Sequence, residues 1–257
     1  MFYINIKVPY CGHFWHFIMG EFLPVVYIML RCKRNKYYLY NKNRKWGQCF
    51  DKFYKELGFN IEFTNNLPRH YLMANYIAWD YKWSFNEKQK CKIVVNFLKK
   101  KAIKLYGNKN NSLTNKILIQ YRKTDKNLEQ YFLNNNIADK LYGSSKRTFK
   151  DMDKIHTFIE NSKYLYHDNL PLLQQIMFYL NENNLILEHG AGMVFILFMN
   201  HNSKILEIIT PNKKREKNGA AQGANRLCYF KKAILSRVII ENNTSVLDHK
   251  DQIIKYL

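Results

Sequence analysis

A chain of 257 residues with 41 Lys and Arg against 20 Asp and Glu carries a formal charge of +21, yet 47% of it is apolar and 16% aromatic. That content excludes a disordered basic tail, which lacks the apolar groups needed to offset ordering entropy. The length accommodates one large domain or two small ones with their own cores. The charge invites a nucleic-acid partner, but its make-up argues against one. There are 32 Lys, 9 Arg and 30 Asn, an excess of residues read from A-rich codons that fits an AT-rich genome. The lysines are scattered, the longest run being Lys99-Lys100-Lys101, and no basic stripe, zinc-finger or RNP-type motif is present,. No nucleic-acid partner is expected.

Cys11, Cys32, Cys49, Cys91 and Cys228 are odd in number and form no C-x-x-C pair. They read as reduced thiols, neither a disulfide framework nor a zinc site. The most apolar stretch, Phe14 to Leu30, contains His16, Glu21 and Pro24 and is about as long as the shortest spanning helices,. A buried or cleft-lining helix is expected there. No signal peptide or membrane anchor is visible, so a cytoplasmic location is expected, in the host if the source is a virus.

In chain order, Phe2 to Val8 alternates as a strand and an apolar helix follows from about His13 to Leu30,. Tyr37 to Tyr40 reads as a strand, Gln48 to Leu57 as an amphipathic helix ending at Gly58, and Asn60 to Phe63 as a strand. Glu87 to Tyr106 is a long amphipathic helix with Ile93, Val94, Phe97, Leu98, Ile103 and Leu105 as its apolar members,. The polar segment Gly107 to Thr114 is the expected linker. Beyond it come a strand at Lys116 to Gln120, a helix at Asp151 to Asn161, a strand at Tyr164 to His167 and a helix from Pro171 to Leu180,. A strand at Leu185 to Leu187, a helix from the His189 turn to about Met199, and a strand at Lys204 to Ile209 follow. Lys213 to Ala224 reads as a surface loop or insertion, and helices at Leu227 to Leu235 and Gln252 to Leu257 flank a strand at Arg237 to Ile240,.

Strands separated by helices imply parallel sheets covered on both faces. The expected fold is therefore α/β, with two compact Rossmann-like domains facing a cleft. The expected domains are 1–107 and 115–240, each Rossmann-like, with a C-terminal helix at 241–257.

The richest passage for chemistry is Leu185 to Pro211. A strand delivers His189, Gly190-Ala191-Gly192 lets the backbone approach a ligand, and a helix starts at once. Free N–H groups at a helix start suit a diphosphate. His189 can donate to a phosphate oxygen, and Glu207, near the end of the next strand, can accept from ribose hydroxyls. The plain alternatives are a tight turn with a solvent-facing His and a solvated strand-end Glu. His13 and His16 share a helix face as a metal pair would, but no third ligand follows and no metal site is expected. Aromatic residues in Tyr71 to Trp83 could stack on sugar rings or pack in a core,.

This passage resembles glycosyltransferase family 61. The resemblance rests on His189-Gly190-Ala191-Gly192 followed by Phe198, Glu207 and Pro211, on Leu173-Leu-Gln-Gln175 and Ile117-Leu-Ile-Gln-Tyr-Arg122 upstream, and on Gly12-His13-Phe14-Trp15-His16 through Glu21-Phe22-Leu23-Pro24. It spans about residues 10 to 240. Departures are visible: Gly20 stands where the family usually has an acid, the Arg-rich block survives only as Lys146-Arg147-Thr148-Phe149-Lys150-Asp151, and the N-terminal domain is short.

The resemblance implies a GT-B-like architecture and inverting, metal-independent transfer from a nucleoside diphosphate sugar. The donor expected is UDP-linked N-acetylglucosamine or a pentose such as xylose, and the acceptor a hydroxyl of a glycan or glycoprotein. The nucleotide sugar is a substrate, so no cofactor is expected. Arg122, Gln175, His189, Gly190, Ala191, Gly192 and Glu207 would hold the donor, with Arg122 neutralising the leaving diphosphate. His16 or Glu21, singly or with Glu21 orienting His16, would be the general base. Arg122 could instead pair with Asp125 or Glu129, Gln175 could be a helix-surface residue, and His16 a packed histidine. The composition fits a large DNA virus or AT-rich microbe that builds its own surface glycans. A catalytically weak glycan- or nucleotide-binding protein on the same fold is the alternative reading, and a basic nucleic-acid-binding protein the third.

Overall fold

Short runs of β-branched and aromatic residues pair throughout in the parallel sense, so the chain is α/β with two parallel sheets. A computed structural model describes residues 2–6, 14–40, 50–74, 85–107, 116–120, 149–165, 170–211, 222–241 and 244–257. They fall into two units, the first comprising Met1–Lys109 with Asn169–Met177 and the second Asn110–Asp168 with Phe178–Leu257. The expected boundaries shift accordingly. Residues 169–177 pack with the N-terminal unit, and 241–257 belongs to the second unit.

In the first unit β1 (Tyr3–Ile6), β2 (Tyr37–Tyr40), β3 (Ile61–Thr64) and β4 (Leu72–Ala74) form a sheet of order β3-β2-β1-β4. Parallel neighbours need crossovers, and α1 (Phe14–Cys32) and α2 (Asp51–Glu56) provide those after β1 and β2. By length and composition α1 could cross a membrane. Most of it is packed inside the unit, where Phe17, Met19, Phe22, Leu23, Val25 and Val26 are fully buried. Phe17 stacks on Phe50 at 4.6 Å between ring centroids, and Phe22 meets Tyr54 at 5.1 Å.

The helix stops where Lys33 turns left-handed (φ 42°) and its N–H donates to Met29 O. Tyr37, opening β2, donates its hydroxyl to the same carbonyl at 2.9 Å and accepts from Arg34 N–H at 2.7 Å. The long helix α3 (Phe85–Tyr106) buries Cys91, Val94, Val95, Leu98 and Ala102, a stripe at helical spacing,. Ile93, Ile103 and Leu105, expected on that stripe, are exposed. Within Tyr71 to Trp83, the aromatic segment expected to stack on sugar rings or pack in a core, Leu72–Ala74 forms β4, and residues 75–84 lie outside the described residues.

The second sheet runs β6-β5-β7-β8-β9 from β5 (Ile117–Gln120), β6 (Ser162–Leu165), β7 (Asn184–Glu188), β8 (Lys204–Ile209) and β9 (Ile234–Ile239). Numbered within the unit, the order is 2-1-3-4-5, so the winding direction reverses between β5 and β7. At such a switch point the connections leave the two strand ends in opposite directions and open a crevice. One face of this sheet carries Ile119, Ile186, Leu206, Ile208 and Val238 into a core with Met152, Ile155, Val246 and Ile253. Burying each such side chain contributes about 1.5–3 kcal/mol before entropy is counted.

Helices α4 (Leu172–Tyr179), α5 (Gln222–Lys231) and α6 (Lys250–Lys255) complete the α-helical elements of the described residues. Two expected α-helices are instead 3-10 helices, at Met152–Thr157 and Ala191–Phe198. The first follows Asp151, which is left-handed (φ 59°) and tied to Lys154 and to the Ser245 hydroxyl.

Candidate functional site

Gln120, Leu187, Glu207 and Arg237 stand in register across β5, β7, β8 and β9. In-register residues share a face of the sheet, and alternation puts this row opposite the face that bears Ile119, Ile186 and Leu206. Three polar side chains thus line a buried row close to the carboxyl ends of the strands. Gln120 and Glu207 are buried, Glu207 completely.

His189 closes over this row. Its backbone N–H donates to Ile208 O at 2.8 Å, extending the β7–β8 ladder one residue beyond β7. Its ring Nδ1 lies 2.6 Å from Glu207 Oε1, and Arg237 Nε donates to Glu207 Oε2 at 2.7 Å. Both carboxylate oxygens are therefore engaged and no surface of Glu207 reaches solvent. Glu207, expected to accept from ribose hydroxyls, is bonded in this structure to His189 and Arg237. Burying a carboxylate is costly unless a cation and hydrogen bonds compensate. Arg237 supplies that cation, with 29% of its own side chain exposed. On α5, the Cys228 thiol is pushed up to about 12, first by burial and then by the Glu207 charge.

The Gly-Ala-Gly turn follows directly. Gly190 is extended (φ 162°), a conformation open to any residue. Gly192 is required for space. A Cβ there would lie 1.8 Å from Gln120 Nε2, so the amide of Gln120 sits against bare backbone. Gln120 Oε1 is buried with no hydrogen-bond partner among the described residues. The 3-10 helix makes its first bond from Met193 N–H to Gly190 O at 3.1 Å. The amides of Ala191 and Gly192 precede that bond and have no acceptor within the helix. The rest of the helix, Met193 to Phe198, is wholly buried, which suits an all-apolar segment. Gln120, His189 and the turn thus meet at the β5–β7 switch point.

The other expected residues lie elsewhere. Gln175 is buried in the first unit and donates its amide to Leu170 O at 2.7 Å, so it closes the entry to α4 and is not a surface residue. The start of α4 is occupied by Glu56, whose two oxygens accept from Leu172 and Leu173 N–H at 2.9 and 3.0 Å. Burial raises the Glu56 carboxyl above its ordinary value, and those two amide bonds oppose the rise. Arg122 and His13 lie outside the described residues.

His16 and Glu21 both sit on α1, which widens into a π-helical turn over Phe17–Phe22, with Leu23 N–H donating to Ile18 O five residues back. In an α-helix positions five apart are turned about 500°, on well separated sides. A π turn, with its bond five residues back, turns less per residue and so lessens the angle between the His16 and Glu21 positions. Glu21 is fully buried and accepts from the Tyr54 hydroxyl at 3.2 Å, whereas His16 is half-buried.

Sequence reasoning missed Arg237 and Gln120. Arg237 is 30 residues from Glu207, and only strand register makes them partners. Among the described residues no group of three His, Cys, Asp or Glu side chains could hold a metal ion. No protein-family model matches this chain, and no curated protein sequence matches it significantly.

Proposed function

We propose that the protein is an inverting glycosyltransferase that uses a nucleoside diphosphate sugar, with UDP as the nucleotide, to glycosylate a hydroxyl of a glycan or glycoprotein. The observation that carries this reading is the His189–Glu207 pair beside the Gly190–Gly192 turn at the switch point of the second sheet. Amides at a helix start that have no acceptor within the helix, and an imidazole, suit the oxygens of a diphosphate. The carboxyl ends of parallel strands are where α/β sheets take nucleotides. On this reading the two parallel sheets are the halves of a GT-B-like enzyme, and the transfer runs in the cytoplasm.

The first unit supplies the acceptor chemistry. Transfer with inversion needs one base to take the acceptor proton as the sugar carbon changes partner. His16 fills that role, with the buried Glu21 behind it across the π turn. Glu21 positions and charges the imidazole, as a carboxylate does behind a histidine base.

Thermal melting with UDP-, GDP- and CMP-sugars tests the reading. UDP-sugars are expected to raise the melting temperature, His189→Ala to abolish the rise, and His16→Ala to preserve the rise while lowering transfer by about 10²-fold or more. Stabilisation with no transfer or hydrolysis from any donor, and no effect of His16→Ala, would leave a binding protein on the same fold.

A further inference from the structure

We propose that Arg237 is a positioning residue: through Glu207 it holds the His189 ring as the Nδ1–H tautomer, so that Nε2 is the ring atom presented to the ligand. Glu207 is completely buried, and an isolated carboxylate there would be driven to take up a proton,. A guanidinium remains charged at any working pH, and Arg237 Nε on Oε2 at 2.7 Å keeps the carboxylate ionised. An ionised carboxylate is an acceptor only. The hydrogen in the 2.6 Å contact with Oε1 therefore belongs to His189 Nδ1. Nε2 is left to carry the lone pair in the neutral ring, or an N–H in the imidazolium that can donate to a phosphate oxygen.

Strand register makes the arrangement rigid. Arg237 stands directly opposite Glu207 in the β8–β9 ladder, and Glu207 opposite Leu187, two residues before His189. Arg237 thus acts on the imidazole through Glu207. That the ligand is a nucleotide rests on the proposed function, whereas the tautomer does not.

The test is imidazole nitrogen–proton correlation spectroscopy on the ¹⁵N-labelled full chain with neutral imidazoles, with His189 assigned by His189→Gln. Wild type is expected to show a protonated Nδ1 and a bare Nε2. Arg237→Lys keeps a positive charge beside Glu207 and should retain the Nδ1–H form. Arg237→Gln removes the charge and should populate the Nε2–H form and weaken UDP roughly tenfold, the loss of one charge-assisted hydrogen bond. A wild-type proton on Nε2, or an unchanged tautomer in folded Arg237→Gln, overturns the proposal whatever UDP does. Failure of UDP to bind wild type would remove the nucleotide reading alone, since the tautomer in Arg237→Gln still decides what Arg237 does.

Discussion

The side-chain amide of Gln120 occupies the space that any side chain at position 192 would need, with Nε2 only 1.8 Å from where a Cβ would lie. Two ends of neighbouring strands, β5 and β7, are thereby locked across the switch point. Gly192→Ala must push the amide out of a buried position, at a cost of about 1–3 kcal/mol. Urea denaturation should show that loss, and Gln120→Ala in the same chain should recover much of it by removing the obstacle. Equal stability of Gly192→Ala and wild type would contradict the packing described.

Glu207 is expected to behave as a buried, doubly bonded charge. Glu207→Ala strands the Arg237 guanidinium and frees His189, and should destabilise the protein by about 3 kcal/mol. The partial exposure of Arg237 keeps the effect at the low end, because its charge can turn toward water. A loss under about 1 kcal/mol would place the pair in the class of solvated surface bridges.

Glu56 makes a pH-dependent contribution of unusual sign for a helix-capping carboxylate. Its pKa is raised, mainly by burial, against the pull of the Leu172 and Leu173 amides. An acid raised on folding stabilises most in its protonated form. That contribution is complete below the ordinary glutamate range and disappears as pH rises through the raised value. Glu56→Gln cannot ionise, so the melting temperature of wild type should fall relative to this variant across that window. Parallel profiles for the two proteins would show that the amide bonds cancel the effect of burial, and a rise of wild type relative to the variant that they outweigh it.

Cys228 should be inert in the folded protein. With its thiol pushed up to about 12 by burial and the nearby Glu207 charge, almost no thiolate exists at pH 8. Alkylation followed by peptide mass analysis is expected to modify Cys228 only in denaturant. Rapid labelling in the native state would mean that α5 opens away from the sheet.

Much of the architecture was legible in the amino-acid order because each element depends on neighbours a few residues away. The apolar run of Ile117 to Gln120 and the alternation of Tyr37 to Tyr40 appear as strands within a residue or so of where periodicity puts them. The stripe on α3 was less legible. Ile93, Ile103 and Leu105 are apolar yet exposed, since composition marks an apolar residue without saying which side of the helix packs against α1. The helix expected after the His189 turn is present as a 3-10 helix at Ala191–Phe198, with Met193 to Phe198 buried.

The local order of residues was enough to establish the α/β class and to point to His189, Gly192 and Glu207 as one neighbourhood, because a strand, a glycine turn and the next strand are coupled over short spans. What those residues do to one another came only with the tertiary structure. Register set Arg237 opposite Glu207 and Gln120 in line with both, burial converted Glu207 from an exposed acceptor into a buried anchor, and the reversal of strand order put Gln120 against Gly192. Those relations arise from pairing between strands 30 to more than 60 residues apart, and no periodicity within a single segment encodes them.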